Sequence, residues 1–375
     1  MSAERKPGMK SEAELEQALC QLLNEIPDPN RGAAEAAEAY QERLVKPPGS
    51  LGVLEQIAVK LAGITGKLHN AVNHTRIVVL CADNGVVAEG VSIAPQRVTA
   101  AQAVNMTRGI TGMSSLAREF GCEVQVVDVG IKEPYECPDI LNRRIAGESG
   151  NILKEAAMTR GEALQAILTG MQLAGQAAED GVDLLGVGEM GIGNTTTSAA
   201  VLAALTGASV LQVTGRGGGL SDQGYLHKQA VIRKALALHH PDGRDALQVL
   251  AALGGFDLAA MCGLFLGAAL HRLPVVMDGF VSAVAALLAY RMHAGVRYVL
   301  FPSHQSDEAG FRIAAQALSL EPWLLLHMRL GEGSGCPLAF QLIRAACAVM
   351  NGMESFEGAR IDDAYLSEIR KKRKG

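Results

Sequence analysis

Apolar positions change rhythm near residue 75. Before it, Leu15, Leu19, Leu22 and Ile26 recur at helical spacing behind Ser11 and Glu14, a capping-box pair, which predicts an amphipathic N-terminal helix. Lys46-Pro47-Pro48-Gly49-Ser50-Leu51-Gly52 interrupts the pattern, because its prolines forbid a continuous helix. A second helical pattern then runs through about Leu61. From residue 75 onward, short β-branched runs alternate with longer helical stretches. The runs are Arg76–Cys81, Cys122–Asp128, Val182–Val187, Val210–Val213, Pro274–Met277 and Arg297–Phe301. This alternation predicts an α/β fold with a doubly wound, mostly parallel sheet. The unbroken apolar run Ile77-Val78-Val79-Leu80 suits a strand covered on both faces.

Ligands of such sheets bind beyond the carboxyl ends of the strands. Those ends read Asp83-Asn84-Gly85, Gly188-Glu189-Met190-Gly191, Asp278-Gly279-Phe280 and Pro302-Ser303-His304. Arg329 to Gly335 forms a comparable glycine-rich loop between Trp323–Met328 and a helix expected near Pro337. Met190 to Gly215 carries no charge, yet its asparagine, glutamine, threonines and glycines suit a buried helix followed by a buried strand better than a membrane span.

The chain has 375 residues, 49% of them hydrophobic and 19% charged, a globular composition that excludes disorder over most of its length. Its 42 glycines exceed average usage of roughly 7% and cluster in loops. A net charge of −5 offers no pull toward nucleic acid, and the basic run Arg370 to Lys374 reads as a solvated tail. Seven cysteines without a C-x-x-C, and a polar Met1 to Lys10, fit a reducing, cytoplasmic setting without a signal peptide.

The segment Gly188 to Thr197 follows a strand and opens a helix. Bare backbone N–H groups of Gly191 and Gly193, the helix dipole, and the side chains of Asn194 and Thr195 make either a phosphate site or a ligand-free glycine cap. Gly186, Gly188 and Gly191 match the dinucleotide fingerprint, but no acidic residue follows about twenty positions later to hold a ribose. A nicotinamide-dependent dehydrogenase is therefore a minor alternative. A second loop, Gly215 to Asp222, contains Gly217 and is followed by Lys228, which shifts the balance toward a phosphorylated ligand. There is no P-loop signature, nucleophile elbow or metal-binding histidine spacing. His239-His240 precedes a turn and reads as surface, whereas His304 stays a pocket candidate. Glu332 stands among three glycines in Gly331 to Gly335, either exposed on a loop or in a dry pocket suited to a general base.

In this order, the pieces resemble the nicotinate-nucleotide–dimethylbenzimidazole phosphoribosyltransferase family, over residues from about 46 to 350. The matching stretches are Lys46–Gly52, Ala82–Gln102, Asn105–Gly112, Val187–Thr196, Gly254–Asp257, Asp278–Phe280, Pro302–Ser306 and Arg329–Gly335. The resemblance implies transfer of the phosphoribosyl group of nicotinate mononucleotide to a benzimidazole nitrogen, without metal or cofactor. It implies a catalytic set of Glu332 as general base, Glu189 as a second acidic residue and Lys228. Gly191, Gly193, Asn194, Thr195, Gly217, Gly279, Ser303 and Ser306 would hold the mononucleotide, and Gln102, Ala94 and Leu330 would line the base pocket. Ala94 departs from members with a serine there, which leaves the preferred base open. The resemblance further implies a homodimer with a six-stranded parallel sheet. It places a small helical domain in residues 1–70 and about 330–375, and an α/β domain in 71–329. A non-catalytic partner subunit acting with a second chain on phenolic bases is the other alternative.

Overall fold

The computed structural model describes residues 10–366. Its centre is one six-stranded sheet: β1 (Thr75–Ala82), β2 (Glu123–Gly130), β3 (Leu141–Asn142), β4 (Leu184–Met190), β5 (Val275–Met277) and β6 (Leu300–Pro302). The order is β3-β2-β1-β4-β5-β6 and every pairing is parallel. All eight residues of β1 are buried, as its unbroken apolar run requires for a strand with helices on both faces. The chain winds outward from β1 to β3, then returns to β4 on the other side. That reversal opens a crevice between the carboxyl ends of β1 and β4, where an open α/β sheet binds its ligands.

One face is covered by Arg160–Glu179 packed closely on Phe256–Leu270. A Cβ on Gly170 would lie 1.9 Å from the Ala260 carbonyl oxygen, and one on Gly263 would lie 1.8 Å from that of Ile167. Part of the glycine excess thus serves backbone-to-backbone helix packing rather than loops.

The N-terminal helix forms over Glu12–Asn24 with the expected Ser11–Glu14 capping box. The Lys46–Gly52 turn is held by Glu55 of the following helix, Val53–Thr65. Its carboxylate takes Lys46 at 2.8 Å and the backbone N–H groups of Gly49 and Leu51. Helix Cys336–Gly352 packs on Val53–Thr65, and Leu44 bridges Ser355, so the two ends of the described chain meet.

Several expectations need correction. Val210–Val213 is a single helical turn, not a strand, because Ser209 and Gln212 cap it reciprocally. The run Arg297–Phe301 is divided: Val296–Val299 is helical and pairing begins only at Leu300. The sixth strand is instead the two-residue β3, too short to leave a periodic signal. Trp323–Met328 forms no strand beyond a Leu324–His304 bridge. His239 is half-buried with its Nε2 at 2.7 Å from the Ile152 carbonyl, and His240 is exposed. The basic run Arg370 to Lys374, and Met1 to Met9 of the polar N-terminus, lie outside the described residues.

Candidate active site

A cavity of about 410 Å3 opens at the carboxyl ends of β1, β4, β5 and β6. Its acidic end is built around the loop that carries Glu332. Gly331, Glu332 and Gly333 have φ of 82°, 63° and 86°, a left-handed run in which only Glu332 bears a side chain. That conformation costs a non-glycine residue about 1–3 kcal/mol, so the surroundings must hold it. Asp278, at the end of β5, does so by accepting the backbone N–H groups of Gly333 at 3.1 Å and Gly335 at 2.7 Å. Glu332 is only 5% exposed. Its Oε1 accepts from Gln102 Nε2 at 2.8 Å, and its Oε2 accepts the Met113 N–H at 3.4 Å. Asn105 donates to Gln102 Oε1, which leaves the Gln102 amide nitrogen facing Glu332.

Behind Glu332 stand two more carboxylates, Glu189 at the end of β4 and Asp257 at the start of Phe256–Leu270. Asn194 Nδ2 donates to both, at 3.2 Å in the case of Asp257. Burial, and then the charge of Asp257, push the Glu189 carboxyl up to about 8. Burial pushes Asp257 up to about 6 and raises Asp278 as well. Close carboxylates in a dry site cannot all ionise freely. Near neutral pH the burial of this pair therefore keeps a proton on it, with Glu189 raised the further of the two.

The opposite end is made of backbone and one lysine. Helix Asn194–Thr206 begins after Gly193, whose φ of 96° turns the chain into the cavity. Lys228, from helix Asp222–His239, is fully buried and donates to Thr195 Oγ1 at 2.8 Å. Burial lowers its pKa to about 8, partly countered by the charge of Glu308. Gly217 completes this wall, with Thr195 Oγ1 3.2 Å and Lys228 Nζ 3.6 Å from where its Cβ would be. The positive end of the helix dipole, the Thr195 hydroxyl and a desolvated ammonium together suit a phosphate.

The cavity thus gathers Ala94, Gln102, Glu189, Gly191, Gly193, Asn194, Thr195, Gly217, Gly279, Ser306, Leu330 and Glu332. Lys228 reaches it through Thr195. Ser303 stays behind the wall, with its hydroxyl on the Asp278 carbonyl oxygen and 3.1 Å from His304 Nδ1. His304 and Ser92 also line the cavity, the Ser92 hydroxyl accepting the Ala94 N–H.

The dinucleotide-like glycines prove to be packing positions. A Cβ on Gly186 would meet Cys336 and Phe340 at 2.9 Å; one on Gly188 would meet the Glu332 carbonyl oxygen at 2.5 Å, and one on Gly191 the Ala82 carbonyl oxygen at 2.4 Å. Gly186 and Gly188 let the Glu332 loop and its helix press on β4, and Gly191 lets the chain pass close to the end of β1. Roles for Asp257, Asp278 and Glu308 were not drawn from the sequence. Asp278 stood at a strand end, and Asp257 is the single charge in an otherwise apolar helix, which were the available signals.

A phosphoribosyltransferase family model matches residues 26–361. The chain belongs to this phosphoribosyltransferase family. It is 46% identical over 342 residues to the nicotinate-nucleotide–dimethylbenzimidazole phosphoribosyltransferase of Ruminiclostridium cellulolyticum, covering 91% of this chain and 97% of that one. It is 45% identical over 348 residues to the protein of the same name from Escherichia coli, covering 92% and 96%. The crystal structure of a nicotinate-nucleotide-dimethylbenzimidazole phosphoribosyltransferase from Thermus thermophilus superposes with a TM-score of 0.84 at 39% identity, covering 90% of this chain and all of that one. Phosphoribosyl transfer needs a phosphate anchor and a base acting across one reaction centre. The two ends of this cavity provide a candidate for each.

Proposed function

We propose that this phosphoribosyltransferase moves the phosphoribosyl group of nicotinate mononucleotide to 5,6-dimethylbenzimidazole or a related base, giving the α-riboside 5′-phosphate and nicotinate. The observation that carries the reading is Glu332, strained and buried at one end of a cavity whose other end suits a phosphate. The acceptor's unprotonated ring nitrogen attacks C1′ with its lone pair. The C1′–N bond of the pyridinium breaks, and its electrons neutralise the departing ring nitrogen. Glu332 takes the proton from the acceptor's other ring nitrogen, while Gln102 and the Asp278-anchored loop aim the carboxylate. Lys228, Thr195 and the helix start hold the phosphate. The proton kept on the Glu189–Asp257 pair spares the reaction centre a further negative charge beside Glu332.

The meeting of the two chain ends supports a small helical unit, 1–70 with about 330–375, beside an α/β unit of 71–329. Among the described residues, no helix is long and apolar enough to cross a membrane. A cytoplasmic homodimer rests on the family resemblance, and light scattering of the purified protein tests the dimer. The reaction is tested by incubating the protein with nicotinate mononucleotide and dimethylbenzimidazole, benzimidazole, adenine or p-cresol. Nicotinate release that depends on the base is the expected result, and no release with any base would overturn the reading.

A further inference from the structure

Glu308 borders the cavity between Ser306 and the glycine loop, on the side of Lys228. It is only 9% exposed, yet its Oε2 is buried with no hydrogen-bond partner among the described residues. Lys228 feels its charge but gives its hydrogen bond to Thr195. The carboxylate sits over the bare Cα of Gly215: a Cβ there would fall 1.7 Å from Oε2. The loop has thus been cleared to let this carboxylate lie at the cavity wall. An unpaired buried carboxylate is costly, and the cost is recovered when a donor arrives. Oε2 is packed on Gly215, and no donor among the described residues serves the carboxylate, so a ligand in the cavity would bring one to Oε1. A phosphate would repel the group. Near the phosphate anchor, the neutral donors of a mononucleotide are its ribose hydroxyls.

We propose that Glu308 is a substrate-contacting residue that accepts a hydrogen bond from a ribose hydroxyl of the mononucleotide. The assignment rests on the mononucleotide reading above. It makes Glu308 the residue that tells a ribose from a deoxyribose, because a deoxy substrate leaves the carboxylate unpaired.

The test compares wild type, Glu308→Ala and Glu308→Gln on nicotinate mononucleotide and on its 2′-deoxy and 3′-deoxy analogues, reading kcat/KM from nicotinate release. Wild type should prefer the ribose over one analogue by about tenfold to a hundredfold. Glu308→Ala should lower that preference to below about threefold, and mainly by losing rate on the ribose substrate. Equal losses on all three substrates would overturn the assignment and leave Glu308 as a charge partner of Lys228. No wild-type preference for the ribose would overturn it as well. Should Glu308→Ala fail a thermal-melting check of folding, Glu308→Gln decides, because its neutral carbonyl is a weaker acceptor. A preference several-fold smaller in that variant supports the contact, and an unchanged one overturns it. Failure of wild type to release nicotinate with any base sinks the transfer reading and this assignment with it. Normal turnover with an unchanged preference in the variants sinks this assignment alone.

Discussion

The two ends of the cavity solve opposite electrostatic problems. On the proposed reading the phosphate end must attract a dianion while buried, with a desolvated lysine, a hydroxyl and the positive end of a helix dipole. The acidic end must keep Glu332 available beside Glu189, Asp257 and Asp278. It does so by sharing Asn194 between two of them, spending Asp278 on loop N–H groups and keeping a proton on the Glu189–Asp257 pair. On that reading one end binds and the other reacts, so their variants should separate into KM effects and kcat effects. The largest effect is expected at Glu332. Glu332→Gln keeps the shape of the side chain but cannot take a proton, so kcat should fall by about 10²–10⁴. Calorimetry should show mononucleotide affinity within about threefold of wild type. A kcat near wild type would place the base elsewhere.

The same end can be broken without touching its carboxylates. A Cβ on Gly335 would lie 2.3 Å from His304 Nδ1, 2.6 Å from Ser303 Oγ and 2.8 Å from Asp278 Oδ1. Gly335→Ala must therefore displace the loop that aims Glu332. A displacement near 1 Å costs on the order of a hundredfold in rate. The expected outcome is a drop in kcat of roughly ten- to a hundredfold with mononucleotide affinity retained. Loss of affinity in proportion would show that the two ends are not independent.

At the phosphate end, Lys228→Met should raise KM for the mononucleotide by about ten- to a hundredfold, the range for a charge-assisted hydrogen bond, and leave kcat at saturation within a few-fold. The pH dependence sharpens this. The substrate phosphate is already a dianion well above its second pKa of about 6. Lys228 has its pKa lowered to about 8 by burial, so wild-type affinity should weaken as pH rises through 8. In Lys228→Met that weakening should vanish. A variant that still loses affinity across that interval would assign the titration to another group.

Much of this division was legible in the chain. Asp278 and Glu189 lie at strand ends, where ligand-facing residues are expected, the Glu332 loop was marked by its glycines rather than by a strand before it, and Asn194 and Thr195 follow glycines at a helix start. What escaped did so for physical reasons. Val210–Val213 has a strand's composition, and only its Ser209–Gln212 capping pair marks a helix, a signal four residues long. Gly186 and Gly188 mimic a nucleotide fingerprint because close packing and close ligand approach demand the same missing side chain. Glu308, in Ser306-Asp307-Glu308, reads like any solvated loop, since only the fold reveals that it is buried without a donor.

The smallest effect concerns stability, and it contrasts the two ends through the sign of their pH dependence. The Glu189 carboxyl, raised to about 8 from an unfolded value of 4.5, binds its proton more tightly when folded. Its contribution is full below about 4.5 and is lost as pH rises to about 8. Lys228, lowered to about 8 from 10.5, has the opposite sign: its burial cost is present below about 8 and is relieved as pH rises toward 10.5. Glu189→Gln replaces a protonated acid by a neutral group of similar shape. Its melting temperature should match wild type near pH 5 and exceed it by roughly 2 °C at pH 8.5, where wild type must ionise a buried acid or hold its proton at a cost. Turnover at pH 7 should stay within a few-fold, because Glu189 is already neutral there. A collapse of kcat at pH 7 would instead show that Glu189 exchanges a proton with the reacting bases. That result would give the acidic end two working carboxylates, Glu189 beside Glu332.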